Sequence, residues 1–130
     1  MIVVDSSALI AIHLGEPQAE KLSDLIAEDG APHISTFTLF ETRTVLSFRD
    51  GTARIREFEA WLHAARVVAV LFDEHQSTLA FEAYQRWGKG NHPAALNLGD
   101  CAAYALAMSL DAPLLFKGDD FARTDVRRAL

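Results

Sequence analysis

Short apolar runs at residues 2–4, 67–72 and 114–116, and a β-prone stretch at 33–37, alternate with segments of helical periodicity. The run at 2–4, continuous and β-branched, reads as buried on both faces, which is the signature of a parallel strand. Parallel strands need a long crossover, usually a helix. The alternation therefore confines the chain to an α/β fold with a mostly parallel sheet and right-handed crossovers. At 130 residues, with no internal repeat or linker, the sequence reads as a single domain over 1–130.

The helical segments follow from the same pattern. A short helix is expected through Ala8 to His13, with Ser6 or Ser7 as its cap. Pro17 suits the first turn of a second helix, in which Ala19, Leu22, Leu25 and Ile26 recur before Gly30 ends it. A third is expected from about Thr38 to Arg49, a fourth from Thr52 to Ala65 beyond Asp50-Gly51, and a fifth marked by Ala80, Ala83, Tyr84 and Trp87. The stretch 88–97 reads as a long loop, and 99–110 is apolar almost all round, as a helix buried against the sheet would be.

Composition narrows the function. Half the residues are hydrophobic, enough for a real core, and the formal charge is −6. A uniformly basic nucleic-acid binder is thereby excluded, and an acidic protein that handles phosphates needs a cation to neutralise its own carboxylates. The one cysteine, Cys101, permits no intrachain disulfide and suits a reducing compartment. The N-terminus has no basic leader, Asp5 interrupts its apolar stretch, and the densest apolar run, 67–72, is far below membrane-helix length. A cytoplasmic protein without a membrane span is expected.

In parallel α/β folds ligands gather at the carboxyl ends of the strands. Acidic residues recur there. Asp5 follows the first strand, Glu41 falls in the first turn after the second, and Asp119 and Asp120 follow the fourth. Asp100 opens the apolar helix that feeds the fourth strand, and it reaches the same edge if the 88–97 loop carries the chain back up the sheet. Like charges about 4 Å apart oppose ionisation by about 4 kcal/mol at an effective dielectric near 20. Such acids are either protonated or hold a cation, and oxygen-only donors suit Mg²⁺ or Mn²⁺ rather than zinc.

Each acid also has a structural reading. Asp5 can cap a helix, and Thr38-Leu39-Phe40-Glu41 has the form of a capping box. Asp100 can be a first-turn acid with Asn97 as cap, Asp119-Asp120 a solvated turn, and Asp125 with Thr124 the start of a terminal helix. The histidines show no ligand spacing, although His92 shares the long loop with Lys89. Phe58, Trp61, Tyr84 and Trp87 read as core or dimer interface, and Arg43, Arg86, Lys89 and Lys117 as phosphate contacts at the carboxyl edge.

Four segments, in order, resemble PIN-domain ribonucleases, most closely the VapC-type toxins of bacterial toxin–antitoxin pairs. They are Ile2-Val3-Val4-Asp5-Ser6-Ser7-Ala8-Leu9, then Thr36 through Glu41-Thr42, then Asn97-Leu98-Gly99-Asp100 through Ala105, and Leu114 through Phe121 with Thr124-Asp125. The resemblance implies a three-layer α/β/α fold and an acidic pocket for Mg²⁺ or Mn²⁺. Asp5 and Asp100 would be metal ligands, Glu41 would complete the site directly or through water, and Asp120 would be the fourth acid, with Asp119 and Asp125 as alternatives. It further implies endoribonuclease activity on RNA, a small cognate antitoxin and homodimerisation. Two other readings stand beside it. A phosphoacceptor receiver domain would use Asp73 and Lys117 but lacks the early acid pair, and an inactive module would use the fold alone. A haloacid-dehalogenase phosphatase would need an acid at position 7, where Ser7 stands.

Overall fold

A computed structural model describes residues 1–130. Its four strands are β1 (Val3–Val4), β2 (His33–Ser35), β3 (Val68–Val70) and β4 (Leu114–Leu115), and its five helices are α1 (Ser6–His13), α2 (Ala19–Asp29), α3 (Thr36–Ala64), α4 (Glu74–Trp87) and α5 (Leu98–Ser109). Every strand pairing is parallel, in the order β3-β2-β1-β4. Successive side chains of a strand point to opposite faces. Val3 and Leu114 are paired and pack into the apolar layer beneath α4 and α5, whereas Val4 and Leu115 pack into the layer beneath α1, α2 and α3. The three-layer α/β/α expectation holds.

On the second side Leu9, Leu22, Leu46 and Phe58 are fully buried, and each contributes about 1.5–3 kcal/mol of burial free energy. His13 meets Phe58 and Trp61 edge-on, with ring centroids 5.0 and 4.9 Å away. On the first side α5 is buried continuously from Gly99 through Ala107. Its alanines allow the helix to lie close against β1 and β4.

Several local expectations change. Asp5, not Ser6 or Ser7, caps α1: its Oδ2 accepts from the Ser7 backbone N–H at 3.0 Å. Helix α3 starts earlier than expected, because Ser35 caps it by accepting from the Phe37 N–H at 3.2 Å. The Thr38–Glu41 capping box is therefore absent, and Glu41 stands in the second turn with its side chain released from capping. The two helices expected on either side of Asp50-Gly51 are present as expected, joined across a kink within α3 at Gly51, whose φ of 70° and ψ of −150° belong to glycine alone.

The 88–97 loop does not carry the chain up the sheet. Its ends are joined: Lys89 N–H donates to Leu96 O at 2.9 Å and Leu96 N–H to Trp87 O at 3.0 Å. Helix α4 makes the return instead, running antiparallel to α5. Gln76 near its start donates to Ser109 Oγ at the end of α5 at 2.8 Å, and Gly88 at its end bridges to Leu96 just before α5. His92 is a loop staple, its Nδ1 accepting from the Ala94 N–H at 3.0 Å and its ring edge-on to Trp87 at 4.8 Å.

The break at Gly51 yields a prediction. Gly51→Ala meets no steric obstacle, yet forces an L-residue into a glycine-only conformation. It should cost about 1–3 kcal/mol in urea unfolding, and unchanged stability would show that the break relaxes.

Candidate active site

The direction of sheet growth reverses between β1 and β4, and ligand crevices in open parallel sheets form outside the carboxyl ends at such a reversal. Asp5 leaves β1 there. It is 1% exposed. One carboxylate oxygen, Oδ2, is used as the α1 cap, while the other, Oδ1, is buried with no hydrogen-bond partner. Burial pushes the Asp5 carboxyl up to about 6; the hydrogen bonds from Ser7 oppose this, and the charge of Glu41 adds to it.

Asp100 enters from α5. Asn97 and Asp100 form a reciprocal capping box: Asp100 N–H donates to Asn97 Oδ1 at 2.8 Å, and Asn97 N–H donates to Asp100 Oδ2 at 3.0 Å. The structural and functional readings of this residue are thus compatible, since the cap aims a buried carboxylate at the crevice. Burial pushes Asp100 up to about 7, against the Asn97 hydrogen bond, and the charges of Asp5, Asp120 and Glu41 push it further.

Glu41 comes from the second turn of α3. Burial raises its carboxyl above the usual range, with the Ser6 hydroxyl offsetting part of this. Its Oε1 is buried without a partner. An unpaired buried carboxylate oxygen is costly, and this edge carries two, on Asp5 and Glu41. Glu41 lies directly over Gly99: a Cβ built there would stand 2.1 Å from Glu41 Oε2.

Asp5, Glu41, Asp100 and Asp120 therefore share one electrostatic neighbourhood. Asp119 and Asp120 are both exposed in the turn after β4, and Asp120 is the one whose charge acts on Asp100. Asp125 is engaged elsewhere: the Tyr104 hydroxyl donates to Oδ1, and Arg86 approaches Oδ2 at 3.4 Å. The expected phosphate contacts are mostly spoken for. Arg43 pairs with Glu59 at 2.6 Å, Arg86 with Asp125, and Lys117 with Glu16 at 2.7 Å, leaving Lys89 without a carboxylate partner.

The donor set fits a hard divalent cation. Two orphaned buried carboxylate oxygens and a group of mutually repelling acids are what such an ion relieves. The acids are gathered but not closed, for no three acid, histidine or cysteine side chains form a ready ion cage. Mg²⁺ asks for only one or two carboxylates, keeping several waters. The Cys/His donor set typical of zinc is missing here: the acids are joined by no histidine, and the adjacent Cys101 thiol is pushed up to about 11 by burial and by the Asp100 charge. Asp73, the acceptor a receiver domain would need, caps α4 by accepting from the Gln76 N–H at 2.9 Å.

Sequence reasoning named the four acids that the structure brings to this edge and passed over Gly99, against which Glu41 lies. A glycine immediately before an acid at a helix start was a signal of close approach, but its partner lies far away in sequence.

Known proteins resemble this chain in sequence and fold. Residues 2–127 match the family model of the PIN domain. The chain is 47% identical over 125 residues to a protein of Mycolicibacterium smegmatis named Ribonuclease VapC, with 96% of this chain and 97% of the relative covered. In fold it is similar to the crystal structure of Mycobacterium tuberculosis VapC20, described as a sarcin-ricin loop cleaving toxin, at TM-score 0.75 and 22% identity over 98% and 99% of the two chains. It is also similar to a chain of a toxin–antitoxin complex from Klebsiella pneumoniae, at TM-score 0.71 and 17% identity over 96% and 93%. With a family model that spans nearly its whole length and a relative this similar end to end, the chain belongs to the PIN domain family, among the VapC ribonucleases.

Proposed function

We propose that the protein is a metal-dependent endoribonuclease toxin, neutralised in the cytoplasm by a small cognate antitoxin. The observation that carries this reading is the meeting of Asp5, Glu41, Asp100 and Asp120 at the β1–β4 edge, with two buried carboxylate oxygens left without donors. Asp5 and Asp100 would hold Mg²⁺ or Mn²⁺, and Glu41 and Asp120 would complete the site. When bound, the ion supplies Lewis-acid chemistry: it neutralises charge on the phosphate and makes a nucleophile available near neutral pH.

The chain's own groups do the rest. Asp5 and Asp100 are held by their cap hydrogen bonds, so their free oxygens keep a fixed aim without reorganising during reaction. Glu41, above the ordinary carboxyl range, suits a general base that takes the proton of the attacking water at Oε1. Asp120, exposed at the rim, can orient that water or meet the substrate. Single-stranded or looped RNA is the favoured substrate because its phosphates are accessible. The likeness to a chain from a toxin–antitoxin complex supports the antitoxin. Phe40, Leu71, Phe81 and Leu98 are apolar side chains each more than 60% accessible, which supports protein contact at antitoxin or dimer surfaces.

The decisive assay incubates antitoxin-free protein with structured RNAs. Cleavage should require Mg²⁺ or Mn²⁺, stop in EDTA, and fall by about 10²-fold or more in Asp5→Asn and Asp100→Asn. Cleavage that persists in EDTA or in Asp5→Asn removes this mechanism.

Stability should carry the same signature. Asp5 and Asp100 rise from 3.8 in the ordinary state to about 6 and 7 in the fold. Between those limits the unfolded chain has shed protons that the folded chain retains, so these acids make stability fall as pH rises. In chelator, the melting temperature should drop from about pH 4 to about pH 7. The drop should shrink in Asp5→Asn and Asp100→Asn, and millimolar Mn²⁺ should restore stability at the higher pH. Parent and variants with identical pH profiles would show that these carboxyls are not strained.

A further inference from the structure

We infer that Gly99 is the positioning residue for Glu41: the absence of a side chain at the start of α5 is what seats the Glu41 carboxylate in the site. A Cβ at position 99 would lie 2.1 Å from Oε2, 2.4 Å from Cδ and 2.4 Å from Oε1 of Glu41. All three atoms fall well inside van der Waals contact, so the carboxylate occupies the volume that any L-residue here would fill. Gly99 is not in a left-handed conformation and has no positive φ to justify it. Its requirement is space alone, and the occupant of that space is a charged group from a different helix, 58 positions away (99 − 41).

The consequences follow from what each partner can do. The first turn of α5 is pinned by the Asn97–Asp100 capping box and cannot retreat cheaply. Glu41 has three rotatable side-chain bonds and can. A methyl group at 99 therefore moves Glu41 and leaves the helix in place. An open direction lies outward, toward the groove that Glu41 and Gly99 line together with Phe40, Thr44, Val45 and Leu98. Expulsion relieves the burial that raises Glu41 and withdraws its Oε1 from Asp5 and Asp100 while the rest of the fold stands. Gly99 thus couples α3 to α5 at the point where both present acids.

The seating rests on the geometry alone; its consequence for catalysis rests on the metal-nuclease reading above. The experiment separates the two. In metal-free protein, carbodiimide-driven labelling of carboxyls with glycine ethyl ester, read by mass spectrometry, should modify Glu41 slowly in the parent and several-fold faster in Gly99→Ala, with helix content and cooperative unfolding retained. Mn²⁺ affinity, by calorimetry, should fall about tenfold in Gly99→Ala, the usual scale for loss of a group that orients a ligand. In a Glu41→Ala background, Gly99→Ala should have no further effect on Mn²⁺ affinity. Unchanged Glu41 labelling in folded Gly99→Ala overturns the inference, as does an equal affinity loss with and without Glu41, which would place the effect on Asp100. A parent that binds no Mn²⁺ but shows the labelling change refutes the metal reading and leaves the seating intact.

Discussion

Repulsion among carboxylates that the fold has taken out of water is the constraint around which this molecule is arranged. Asp5 is almost wholly buried and Asp100 nearly so, and each sits within the field of the other and of Glu41. A fold minimising its own free energy would place solvent, a cationic side chain or an apolar residue there. No cationic side chain is paired with these acids: Lys117 is engaged by Glu16 and Arg86 by Asp125. The negative field at the β1–β4 edge is left uncompensated by the chain itself, which is the condition that the proposed divalent ion would relieve.

Secondary structure holds that field in place by giving the two innermost acids a second task. Asp5 caps α1 and Asp100 closes the capping box of α5. An N-cap is worth about 0.5–2 kcal/mol, which offsets part of the cost of burying Asp5, while the hydrogen bond from the Asn97 N–H fixes the rotamer of Asp100. One oxygen of Asp5 is consumed in capping and the other is left facing the crevice without a partner. Glu41 has no such anchor. Its position depends on the shape of what faces it, and what faces it is a glycine.

Much of this was legible in the residues. The apolar runs at 2–4 and 114–116, each followed by acids, placed Asp5 and Asp119-Asp120 at strand ends, and the apolar helix opened by Asp100 could be little else than a buried crossover. What failed was local competition between similar signals. Ser35 and Thr38 both precede helix-forming residues, and Ser35 won because β2 ends at that residue, which turned an apparent capping box into an uncommitted Glu41. The 88–97 loop was misjudged because nothing in its sequence reveals that Leu96 pairs back to Trp87 and Lys89. Gly99 was out of reach for a third reason: steric complementarity between residues far apart in the chain leaves no periodic trace.

The most direct measurement is anomalous diffraction from crystals of the metal-free protein soaked in Mn²⁺. The account places a Mn²⁺ peak at the carboxyl edge between β1 and β4, touching Asp5 and Asp100, with Glu41 and Asp120 reached directly or through water. Crystals whose edge stays without Mn²⁺ at millimolar concentration, or whose ion is held by other residues, would contradict it.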